Sequence, residues 1–134
     1  MKYISIWYEI YFILERIMKG HLIMNESERL LNDFLIWKTS NIDNKEGFFP
    51  VYSSFKKYMK NLSPGAISLY LYFGLHSKNK TGESYHSIDT MADFFGKSSR
   101  TISSWIKELE DNKLIIRRQI KFSGVSITYL RPYS

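Results

Sequence analysis

Between Ser87 and Arg131 the spacing of apolar residues changes twice, and that order of periods constrains the fold more than any other feature of the chain. Ser87 is an N-cap residue, and Ile88, Met91, Ala92 and Phe95 follow at i, i+3, i+4 and i+7, the buried stripe of a short helix. Gly96 ends it. Lys97 leads to Ser98, a second N-cap, after which Ile102, Trp105, Ile106 and Leu109 repeat the spacing over a longer helix. Leu114 to Lys121 is then rich in β-branched residues, Ser123-Gly124 supplies a turn, and Val125 to Leu130 alternates as a returning strand.

Setting the apolar stripe of the second helix against a core turns Arg100, Ser104 and Lys107 outward, with Thr101 and Ser103 on the flanks. Such a face suits phosphates and base edges, because arginine forks onto guanine and hydroxyls bond either kind of groove atom. A solvated surface would have the same composition, and the hairpin is what separates the two readings. It carries Arg117, Arg118 and Lys121 and sets its tip beside the second helix, where duplex backbone or minor groove would lie. Charge agrees. The first 47 residues hold six Lys+Arg against seven Asp+Glu, whereas Phe48 to Ser134 holds thirteen against six, so the whole positive excess of a +6 chain lies on the later segment.

The run SIDTMADFFGKSSRTISSWIKELEDNKLIIRR resembles the winged helix-turn-helix of bacterial regulators and of plasmid and phage replication initiators. LSPGAISLYLYFGLHS before it is similar to the first helix of that domain. The resemblance spans Leu62 to Arg131, about half the chain. It implies a mainly α fold with a small β-hairpin wing, extended at its N-terminus by helices. It also implies groove-facing positions at Ser99, Arg100, Ser103, Ser104 and Lys107 and a wing tip from Lys121 through Ser123 to Gly124; the residues themselves add Ser98, Thr101, Arg117 and Arg118 as expected DNA contacts. Where many members carry at least one larger polar or basic residue, this chain has Ser103-Ser104. The implied partner is double-stranded DNA, in transcription regulation, replication initiation or conjugative transfer of a plasmid, phage or similar mobile element. A rival role is a winged helix that docks a replisome or relaxase protein.

Other chemistries find little support. With no cysteine the chain has no disulfide, thiolate nucleophile or zinc finger, which fits a reducing cytoplasm. His21, His76 and His86 lie far apart in sequence and have no metal-ligand spacing; exposed or helix-end positions are expected for each. Ser104-Trp105-Ile106-Lys107 matches S-x-x-K formally, without the S-D-N or K-T-G that accompanies it in penicillin-binding enzymes. Asp89 and Asp93 lie one helical turn apart, but the helix dipole explains Asp89 in a first turn. Lys80-Thr81-Gly82 is too short for a phosphate loop. We therefore expect neither an enzyme nor a cofactor.

Upstream, Ser63 as N-cap and Pro64 at the first helical position start a helix that is apolar nearly all round from Ala66 to Leu75. The winged core covers one side of it. The other side calls for the N-terminal half of the chain or a second subunit, hence an expected homodimer. A short first strand is expected at Tyr85-His86 after the polar turn Lys78 to Ser84. Phe48 to Tyr52 reads as extended, followed by a short helix with Phe55, Tyr58, Met59 and Leu62 on one face and Lys56, Lys57 and Lys60 on the other. The domain boundary falls at 47/48. In the N-terminal part, Asn25 and Glu28 form a capping box for a helix through Leu30, Leu31, Phe34, Leu35 and Trp37 that ends near Thr39, with a linker from Asn41 to Gly47. Met1 to Gly20 is too broken by Glu9, Glu15 and Arg16 to span a membrane or serve as a signal peptide. Three readings of residues 1–23 stand open: a dimerising helix, an interfacial helix, or translated leader before Met24.

Overall fold

The computed structural model describes residues 2–18, 25–120 and 124–134, and for 2–5, 16 and 17 the backbone alone. The readings on Lys19 to Met24 and on Lys121 and Ser123 lie outside the described residues. The chain forms two compact units, Met1–Gly47 and Phe48–Ser134. Among the described residues no helix is long and apolar enough to cross a membrane.

The first unit is a pair of helices, α1 (Lys2–Met18) and α2 (Glu26–Asp43). Asn25 caps α2 through the expected box: its side chain accepts from the Glu28 N–H at 2.9 Å, and Glu28 accepts from the Asn25 N–H at 3.3 Å. The helix does not end at Thr39 but runs on to Asp43, so the expected linker is shorter. Its stop is a Schellman turn in which the Glu46 N–H reaches the Asn41 carbonyl and Lys45, at φ 55°, takes the left-handed position usually given to glycine.

The second unit orders its elements as a 3-10 turn (Ser53–Phe55), α3 (Lys56–Met59), α4 (Pro64–His76), β1 (Glu83–Ser84), α5 (Ile88–Phe95), α6 (Ser99–Asp111), β2 (Ile115–Gln119) and β3 (Ser126–Leu130). The three strands form one antiparallel sheet in the order β1-β3-β2, with Ile115 opposite Leu130 and Gln119 opposite Ser126. Helix-turn-helix followed by a β-hairpin is the winged helix-turn-helix expected from the periods. The first strand, however, is Glu83–Ser84, two residues before Tyr85-His86. Ser84 lies opposite Thr128, and both are buried. Tyr85 is exposed, its hydroxyl donating to Glu83, and His86 turns into the interior.

The core lies where α4, α5, α6 and the sheet meet: Leu69, Phe73, Met91, Ile102, Leu109 and Leu114 are all fully buried. The second side of α4 is covered from within the same unit, which removes the need there for the N-terminal half or another subunit. Phe55 stacks on Tyr70 at 4.7 Å, Phe49 meets Tyr70 edge-on at 6.1 Å, and Tyr133 from the C-terminal tail packs on Phe55 and Tyr58. The Tyr133 hydroxyl accepts from the Tyr52 N–H at 2.9 Å. Burial and then the neighbouring Tyr133 push the Tyr70 phenol far above its ordinary range. Gly74 lets the Phe49 ring lie directly on the α4 backbone.

Candidate nucleic-acid interface

The α5–α6 turn is built on three local devices. Ser87 and Ser98 accept from the N–H groups of Thr90 and Thr101, three residues on. Gly96 sits at φ 63°, and the Lys97 N–H returns to the Ala92 carbonyl at 3.0 Å, closing α5 without a long loop. Two further contacts set the angle of α6. Glu108 accepts from both the N–H and the hydroxyl of Ser63, at 2.8 and 2.7 Å, so the start of α4 is tied to the last turn of α6. Trp105 lies against Gly65 of α4, where any Cβ would overlap the indole, and meets Phe95 edge-on at 5.7 Å.

With Ile102, Ile106 and Leu109 buried, Arg100, Ser103, Ser104 and Lys107 are exposed, and Arg100 and Lys107 make no hydrogen bond or ion pair among the described residues. Arg100 lies in the first turn and Lys107 in the third. Glu108, Glu110 and Asp111 follow in the last turn, so only Arg100 sits at the end where the helix dipole is also positive. Three of the other expected contact residues are spent locally. The Ser98 hydroxyl caps the helix and bonds the Thr101 hydroxyl at 3.0 Å, and the Ser99 hydroxyl donates to Asp89 of α5 at 3.2 Å. These residues position the outward face.

The hairpin divides its two arginines. Arg118 is exposed, one of its guanidinium N–H groups on the Arg117 carbonyl. Arg117 is half-buried and bonds within the unit. Its guanidinium donates to the Thr128 hydroxyl at 2.7 Å and to the His86 carbonyl at 2.9 Å, because strand alternation places it on the face where Thr128 is already buried. Burial lowers its pKa from the ordinary value, partly offset by Glu110, and it is charged at any physiological pH. Gly124, at φ 69°, belongs to the wing turn, and the Ile120 N–H to Val125 carbonyl bond (2.8 Å) continues the ladder toward it.

Two features were not visible in the spacing of the sequence. His76 and His86, expected apart, meet edge to face at 4.8 Å beside Tyr72, with His76 Nδ1 on the Tyr72 carbonyl and His86 Nδ1 on the Ser84 hydroxyl, each at 2.8 Å. Burial, then His76 and Arg117, lower the His86 pKa. The second is the polar row Ser84, Thr128 and Arg117 across three strands, which with the His86 carbonyl links the wing to the start of α5. Among the described residues no group of three or more His, Cys, Asp or Glu is placed to hold a metal. Lys56, Lys57 and Lys60 are exposed on α3 and at its end, Lys57 lying over the Tyr58 ring.

Residues 60–115 match the family described as helix-turn-helix domain. The match runs from just before α4 to the first residue of β2. A solved structure described as the structure of a Rep-DNA complex is similar at 16% identity, with a TM-score of 0.48, over 69% of this chain and 80% of that one. No curated protein matches the sequence.

Proposed function

We propose that the chain binds a site on double-stranded DNA, as a dimer, with the Arg100–Lys107 stretch of α6 in the major groove and the β2–β3 hairpin along the adjacent backbone. The observation that carries this reading is the contrast on α6: Arg100 and Lys107 stand exposed and unpartnered while Ser98, Ser99, Glu108 and Trp105 all hold the helix in place. A merely solvated face has no need of such anchoring. Arg100, Ser103, Ser104 and Lys107 are the groove-facing set, and Arg118 and Lys121 are the phosphate contacts of the wing. The net charge of +7 on Phe48 to Ser134 supplies the long-range attraction. The dimer is held by the first unit, whose helices leave Trp7, Tyr11, Phe34 and Trp37 exposed. The chain acts as a non-catalytic DNA-site binder of a mobile element, in control of transcription, replication initiation or transfer.

The test is a gel shift against duplex fragments flanking its own gene, with excess random duplex as competitor. A discrete complex that survives the competitor is expected. Equal retention of every fragment would contradict site recognition.

A further inference from the structure

On α2, Leu30, Phe34, Trp37 and Asn41 recur at i, i+4, i+7 and i+11. Leu30, Phe34 and Trp37 are 61%, 53% and 61% exposed, and the rings of Phe34 and Trp37 lie 5.6 Å apart. The side of α2 that packs within the unit is the opposite one: Leu35 is buried, and Glu28, Asn32 and Thr39 are half-buried. The exposed stripe is therefore a second seam with the alternating four-and-three spacing of a heptad, Leu30 and Trp37 at d, Phe34 and Asn41 at a. In that register Asp33 falls at g and Lys38 at e. Both are exposed, and neither has a partner among the described residues.

We propose that this face of α2 pairs with the same face of a second copy as a short parallel coiled coil, Asp33 of each copy opposite Lys38 of the other. In a parallel pair, g of one helix meets the e position five residues on in its partner, and Asp33 to Lys38 has that spacing. The helix is thus charge-complementary to itself, twice per dimer, as an isologous two-fold interface requires. Asn41, at the second a position, is half-buried and donates its side-chain amide to the Trp37 carbonyl at 2.9 Å, so the register rests on the Asp33–Lys38 pairs. The first 47 residues carry net −1, so an anionic lipid surface offers the exposed stripe no attraction. The seam is only about two heptads long and so makes a weak dimer, which a duplex with two half-sites reinforces. The inference rests on the dimer part of the reading above and not on its DNA part.

Sedimentation equilibrium of the full chain without DNA, across a concentration series at low salt, tests it. Asp33→Lys and Lys38→Asp are exposed substitutions, and each turns two attractive pairs into two repulsive ones. Each should weaken self-association by about tenfold. Mixing the two variants sets each introduced charge opposite its complement and should restore association to the wild-type level. Circular dichroism checks that the helices are kept. Association that ignores both substitutions overturns the seam while leaving a dimer in place. A wild-type chain that stays monomeric throughout overturns both seam and dimer, and the gel shift reports separately on DNA.

Discussion

Arg117 and Arg118 are sequence neighbours with unlike fates, and the difference is measurable. Arg117→Ala leaves the His86 carbonyl and the Thr128 hydroxyl without their donor and should cost about 1 to 3 kcal/mol of stability. Thermal unfolding should show this, with duplex affinity of the folded protein little changed. Arg118→Ala should leave the melting temperature in place and weaken every duplex alike, as loss of a phosphate contact does. Arg100→Ala should instead lower specific affinity by roughly 1 to 3 kcal/mol and non-specific affinity less, if it forks onto a guanine. Equal losses on both kinds of duplex would move the readout to DNA shape. His86 gives a pH effect. Its folded pKa is depressed, so the unfolded chain takes up the proton first, and stability present at neutral pH is lost as pH falls below about 6.5. His86→Gln should flatten the dependence of melting temperature on pH in that window; an unchanged slope would put the acid sensitivity elsewhere. None of this pairing was legible in the sequence, because His76, His86 and Arg117 come from three segments that meet only once the sheet register is set.

At the scale of elements, starts were easier to read than stops. Asn25, Ser63, Ser87 and Ser98 each cap where their side-chain chemistry says they should. Three helices close with the same left-handed turn, at Lys45, Gly96 and Lys113, and only the one with glycine was recognisable as a stop. The lysine turns form because the following N–H reaches back to a free carbonyl, Glu46 to Asn41 and Leu114 to Leu109. Lys113→Gly should therefore stabilise by about 1 kcal/mol through relief of the left-handed strain, seen as a higher melting temperature. A lower one would mean that the glycine's added freedom in the unfolded chain outweighs that relief. Gly74 behaves in the opposite sense. Alanine in a helix interior normally stabilises over glycine, but a Cβ here would overlap the Phe49 ring, and Gly74→Ala should destabilise by about 1 to 3 kcal/mol. The cover on α4 was foreseeable as a need from its all-round apolar sequence. Its source was not: the face carrying Phe55 was readable, but Phe49 and Tyr133 carry no periodic signal of their own, and nothing in the spacing tied them to α4.

For the molecule as a whole, the charge division and the winged helix-turn-helix were both legible, because each is a property of long segments rather than of one contact. Phe48 to Ser134 carries the positive excess, and the same residues form the unit that holds the helix-turn-helix. The central claim is that this unit attaches to a polyanion through Arg100, Lys107, Arg118 and their basic neighbours. The direct measurement is the affinity for duplex DNA, by fluorescence anisotropy, across a series of salt concentrations. The logarithm of the association constant should fall linearly with the logarithm of salt, with a slope of about −0.9 for each phosphate neutralised, and the Arg118→Ala line should be shallower by about one such step. A slope near zero for the wild-type chain would contradict the account.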